Sequence, residues 1–95
     1  MRITAEQIEA IKMLARRYFG EGAGLWLFGS RVDDARRGGD VDLYVEPAQE
    51  STILSALRCK IELEERLDLH VDLVVKERGK DKPIYQLAKT RGVQL

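Results

Sequence analysis

The sequence predicts a small α/β or α+β domain, a mixed β-sheet flanked by helices. Three observations predict it. Stretches with helical apolar spacing alternate with short apolar runs along the chain. Helix caps and stops fall at the ends of the helical stretches. The 95 residues fit a single domain, residues 1–95, with no linker or internal repeat.

The first helix is expected from about Ala5 to Phe19. Thr4 is placed as its N-cap, with Gln7 completing a capping box and Ile3 and Ile8 a hydrophobic staple. Ile8, Ile11, Leu14, Ala15 and Tyr18 form one apolar stripe, and Gly20 and Gly22 supply the stop. Leu25-Trp26-Leu27-Phe28 reads as a strand buried on both faces. Ser30 to Gly39 is polar and reads as a short helix or turn followed by a tight loop. Val41 to Val45 is a second strand, ended by Pro47. Ser51 or Thr52 caps a helix to about Arg66, with Ile53, Leu54, Leu57, Ile61 and Leu67 expected on its core side. Val71 to Val75 is a third strand. Pro83 opens a last helix that Gly92 stops near Arg91.

Composition excludes several classes of protein. Sixteen basic and sixteen acidic residues give a formal net charge of zero, so no global field attracts nucleic acid or membrane. Direct nucleic-acid binding is not expected. One cysteine, Cys59, can make no internal disulfide, and it reads as a small buried apolar residue. No apolar run reaches membrane-spanning length, and with Met1 leading straight into helical pattern no signal peptide is expected. A cytoplasmic location is expected.

Three features carry chemistry. Gly29-Ser30 closes a buried strand, where glycine lets a backbone approach a phosphate and a following helix start offers free N–H groups. Asp40 and Asp42 lie two apart at the start of a strand, so their carboxylates share a face. Hard oxygen ligands in that arrangement suit Mg²⁺. Asp72 is an ionisable residue inside an apolar strand, costly to bury unless paired or metal-bound. If its strand lies beside Val41–Val45, the three aspartates converge. Three carboxylates with a phosphate cradle make a two-metal phosphoryl-transfer site. Asp40, Asp42 and Asp72 would ligate two Mg²⁺ ions, and Asp72 could accept the attacking hydroxyl's proton. Arg31 is placed to offset charge on the phosphates.

Other residues read as background. His70, the lone histidine, reads as surface or edge packing. Tyr44 is expected to point away from Asp42. Asp33 and Asp34 read as loop or helix-start charges, and Tyr85 as helix packing or partner surface.

Leu27-Phe28-Gly29-Ser30-Arg31, followed by Gly39-Asp40-Val41-Asp42-Leu43, resembles the signature of the polymerase-beta-like nucleotidyltransferase superfamily. Val71-Asp72-Leu73-Val74 is similar to its third carboxylate strand, and the tail to its last helix. The small size resembles the minimal nucleotidyltransferases. The Ser30–Asp40 spacing is one residue shorter than in many of them. The resemblance implies the polymerase-beta-like fold, catalysis by Asp40, Asp42 and Asp72, and nucleotide contacts from Gly29, Ser30, Arg31 and Gly39. It also implies ATP as substrate and a helical HEPN-domain partner, often an RNase toxin. This chain would be the antitoxin, transferring AMP to a partner tyrosine. Two alternatives stay open: a binding module that neutralises the HEPN partner by contact, and a transferase acting on a small molecule such as an antibiotic. A partner interface would suit an exposed apolar patch on the first or last helix.

Overall fold

The computed structural model describes residues 3–29 and 40–95. The predicted short helix or turn from Ser30, with Arg31 and Gly39, lies outside the described residues. Helix α1 (Ala5–Phe19) has the expected capping box, Thr4 accepting from the Gln7 N–H and the Gln7 side chain accepting from the Thr4 N–H. Ile11, Leu14, Ala15 and Phe19 are its buried residues. Strands β1 (Gly24–Phe28) and β2 (Val41–Glu46) pair antiparallel. Helix α2 (Ile53–Leu67), capped by Thr52, carries the chain across to β3 (Val71–Val75), which pairs parallel with β2. A parallel neighbour needs such a crossover. Helix α3 (Pro83–Arg91) follows, and Gly92 caps its end.

A fourth strand, β4 (Val93–Gln94), was not expected from the sequence. It pairs antiparallel with Trp26 and Leu27 of β1, giving the sheet order β3-β2-β1-β4. The mixed sheet and the helices match the predicted fold class.

Strand alternation divides the core in two. Leu25, Leu27, Val41, Leu43, Val45 and Val71 pack with the buried sides of α1 and α2. On the other face, Trp26 and Tyr44 pack with Tyr85 and Ala88 of α3. The Tyr44 and Tyr85 rings stack with centroids 5.3 Å apart, and Trp26 lies 5.5 Å from Tyr44. Tyr85 is therefore core packing.

The expected core side of α2 is corrected. Cys59, Leu63 and Leu67 are buried, whereas Ile53, Leu54, Leu57 and Ile61 are 89%, 54%, 49% and 47% exposed. A helix turns about 100° per residue, so Leu57 and Ile61 point roughly opposite to Cys59 and Leu63. The helix has two apolar stripes, and the core takes the one through Cys59. Tyr18 of α1 secures α2 by donating a hydrogen bond to Glu62 at 2.7 Å. Burial pushes the Cys59 thiol up to about 12.

Candidate active site

The parallel register of β2 and β3 sets Asp42 directly beside Asp72. Each is the second residue of its strand. Both lie on the face that carries Tyr44 and Val74 one alternation further along, Asp42 half-buried and Asp72 exposed. The expectation that Tyr44 points away from Asp42 is thereby overturned: residues two apart on a strand share a face. Asp40 immediately precedes β2 and is exposed.

Gly29 follows β1 at φ +77°, beside Asp42, whose cross-strand partner is Phe28. A Cβ on Gly29 would land on the Asp42 carboxylate. Only glycine offers both the positive φ and the room. The sequence singled out Gly29 for its approach to phosphate; the structure adds that it also accommodates Asp42.

The structure brings a residue to this site that the sequence reading left on the surface. His70 Nδ1 stands 3.4 Å from Asp40 Oδ1 and 3.9 Å from Asp72 Oδ1. Its Nε2 stands 3.8 Å from Oε2 of Glu64, on α2. The same Glu64 oxygen accepts the Val71 N–H at 2.9 Å, and the His70 carbonyl accepts the Val41 N–H at 2.9 Å. The sequence held a usable signal. His70 is two residues before Asp72, and an extended chain puts both on one side.

Ligand atoms of Asp40, His70 and Asp72 all lie within 4.8 Å of one another. Carboxylates brought together repel unless a cation joins them. The donor set fits a divalent cation: hard oxygens from two chain segments, with an imidazole nitrogen between them. Ser30, Arg31 and Gly39, the other expected site residues, lie outside the described residues. A concavity of about 680 Å³, lined by Glu46, Pro47, Ile53, Val75 and Arg78 among others, touches none of the aspartates. It is not where the carboxylates converge.

A mixed four-stranded sheet with aspartates on neighbouring strands, beside a glycine that closes the preceding strand, is the arrangement expected of a nucleotidyltransferase domain. Residues 9–94 match the family described as polymerase beta, nucleotidyltransferase, and the chain belongs to that family. Among solved structures, it is similar to one described as a minimal nucleotidyltransferase, with 32% identity and a TM-score of 0.72 over 96% of this chain and 90% of that one. It is also similar to a toxin–antitoxin structure with AMP-PNP, at 25% identity and a TM-score of 0.77, covering 97% of this chain and 72% of the other. A third likeness is to a chain in the complex of tri-AMPylated Shewanella oneidensis HEPN toxin with its MNT antitoxin. That match has 26% identity and a TM-score of 0.73, covering 94% and 68% of the two chains. No curated protein is similar enough to match. Among the described residues, no helix is long and apolar enough to cross a membrane.

Proposed function

We propose that this nucleotidyltransferase moves AMP from ATP onto a hydroxyl, that of a tyrosine on a HEPN-domain partner, and so acts as an antitoxin. The observation that carries the reading is the register of β2 and β3, which pairs Asp42 with Asp72 and leaves Asp40 within reach of the second carboxylate. Two similarities support it: to a toxin–antitoxin structure with AMP-PNP and to a complex whose HEPN toxin is tri-AMPylated.

In this reading Asp40, Asp42 and Asp72 supply the oxygen ligands for two Mg²⁺ ions. Bound there, the ions would neutralise the triphosphate and lower the pKa of the attacking hydroxyl. Gly29 and Ser30 cradle the phosphates, Gly39 is a further nucleotide contact, and Arg31 offsets the phosphate charge. The acceptor oxygen forms a bond to the α-phosphorus as the bond to the β-phosphate oxygen breaks. Pyrophosphate leaves, and Asp72 takes the hydroxyl proton. A cytoplasmic location goes with the reading, because ATP is available there.

The exposed stripe Ile53, Leu54, Leu57 and Ile61 favours a second element, partner binding by contact. It lies on α2 rather than on the first or last helix, although Met13 and Leu87 are also exposed there. One experiment separates chemistry from contact. The chain is mixed with the HEPN partner, Mg²⁺ and ATP labelled at the α-phosphate. Label should stay on the partner after denaturation and disappear with Asp42→Asn. An unlabelled partner in a confirmed complex would leave neutralisation by contact. Full labelling by a folded Asp42→Asn protein would remove Asp42 from the site.

A further inference from the structure

We infer that His70 is a direct ligand of the metal ion held by Asp40 and Asp72, and that this site takes a first-row transition dication such as Mn²⁺ in preference to Mg²⁺. The inference rests on the proposed transferase reading and deepens it, by naming a ligand outside the three carboxylates and the class of ion that ligand selects.

The geometry comes first. Donors on one six-coordinate ion with bonds of about 2.1 Å lie roughly 3–4 Å apart. The His70 Nδ1 separations of 3.4 Å from Asp40 Oδ1 and 3.9 Å from Asp72 Oδ1 fall within that range. Asp40 and Asp72 complete the group, with all three ligand atoms within 4.8 Å of one another.

The surroundings of the ring point the same way. The His70 carbonyl is tied to the Val41 N–H, so its backbone is fixed to the segment between Asp40 and Asp42. On the far side of the ring, Glu64 stands 3.8 Å from Nε2. That carboxylate is itself held by the Val71 N–H. A metal-bound histidine commonly presents its second nitrogen to a carboxylate, which fixes the tautomer and strengthens the ligand. Here Glu64 stands on the Nε2 side of the ring, 3.8 Å away and beyond hydrogen-bond distance, while Nδ1 lies toward the aspartates. A histidine that merely packed at a strand edge would need neither arrangement.

The donor set then decides the ion. Mg²⁺ takes oxygen ligands and keeps its waters. An imidazole nitrogen adds more to the binding of Mn²⁺ or Co²⁺ than to that of Mg²⁺. Two carboxylates and one imidazole therefore tilt this position toward transition ions.

The chain has one histidine, so labelling with ¹⁵N-histidine reports on His70 alone. The full chain, free of any histidine tag, is loaded with Mn²⁺ and an α,β-methylene ATP analogue. Pulsed EPR should show ¹⁵N hyperfine coupling to the ion in the labelled protein, replaced by ¹⁴N coupling in protein with unlabelled histidine. In His70→Asn, Mn²⁺ affinity should fall about tenfold while Mg²⁺ affinity changes less than about threefold. Bound Mn²⁺ without histidine coupling, together with Asp42-dependent transfer, would overturn the ligand role and leave the transferase reading standing. Failure of Mn²⁺ to bind at all would overturn the inference, and loss of Asp42-dependent transfer with Mg²⁺ would be needed to overturn the transferase reading. Equal losses of the two metals in His70→Asn would overturn the selectivity.

Discussion

Replacing Gly29 with alanine should separate two demands that the fold makes at one residue. The first is conformational. Gly29 sits at φ +77°, and an L-residue held in the left-handed region costs about 1–2 kcal/mol. The second is steric. The new methyl would strike the Asp42 carboxylate, approaching its Cγ at 3.0 Å as well, so that carboxylate must turn away. Forcing an added carbon into an occupied space costs about 1–3 kcal/mol. Together the two give about 2–5 kcal/mol in the single variant. A double-mutant cycle separates them. In Asp42→Ala, of the three atoms nearest the added methyl, the Asp42 Cβ alone remains, at 3.4 Å, an ordinary contact. Gly29→Ala should then cost only its conformational part. The coupling between the two changes should be about 1–3 kcal/mol, within the range for side chains in contact. Urea unfolding of the four proteins gives the numbers, with circular dichroism to confirm that each folds. Additive losses would refute the steric half of the reasoning. An unchanged Gly29→Ala midpoint would refute both halves.

The remaining predictions concern α2. Leu57→Asp should change stability by no more than about 0.5 kcal/mol, because Leu57 is half-exposed, and should weaken binding of the HEPN partner in a pull-down; Leu63→Ala should cost about 2–5 kcal/mol in urea unfolding. The Cys59 thiol, pushed up to about 12 by burial, should resist thiol reagents at pH 8 until the chain is unfolded. Its raised value also sets a sign. The folded state holds the thiol proton after the unfolded chain has lost it, so this contribution is complete below the ordinary value of 9.0 and is lost as pH rises toward 12. Urea midpoints measured from pH 8 to pH 11 should therefore fall less steeply in Cys59→Ala than in the parent.

Elements long enough to show a period, or marked by a cap, were legible in the sequence. Thr4 with Gln7, Thr52, and Pro83 with Gly92 bracket the three helices found among the described residues. Strand β4 offered no such signal. Two residues cannot display alternation, and Val93–Gln94 becomes a strand only because Gly92 ends α3 where β1 has a free edge. Helix α2 carried a signal for the wrong side. Four of its six leucines and isoleucines, Ile53, Leu54, Leu57 and Ile61, face out, while a cysteine and two leucines face in. Periodicity finds an apolar stripe; which stripe meets the core depends on how the helix is rotated about its own axis, which tertiary packing decides.

At the candidate site, alternation along the chain sets which side chains share a face. Asp40 and Asp42 were assigned one face because they lie two apart, and the same rule sets Tyr44 with Asp42 and His70 with Asp72. Applied to Tyr44, it leads from the carboxylates to the aromatic stack under α3. Applied to His70, it leads to the side of the strand where Asp72 points. What alternation could not supply is the pairing of β2 with β3, since the segments are joined through a helix and any in-phase register would satisfy their apolar patterns. The register that sets Asp42 beside Asp72 also aligns Val41 with Val71, whose side chains are buried on the opposite face. One choice of register thus buries the valines and gathers the carboxylates. An in-register shift of two residues would keep the valine side facing the core but move Asp72 away from Asp42, so the site depends on a pairing that hydrophobic pattern alone does not determine.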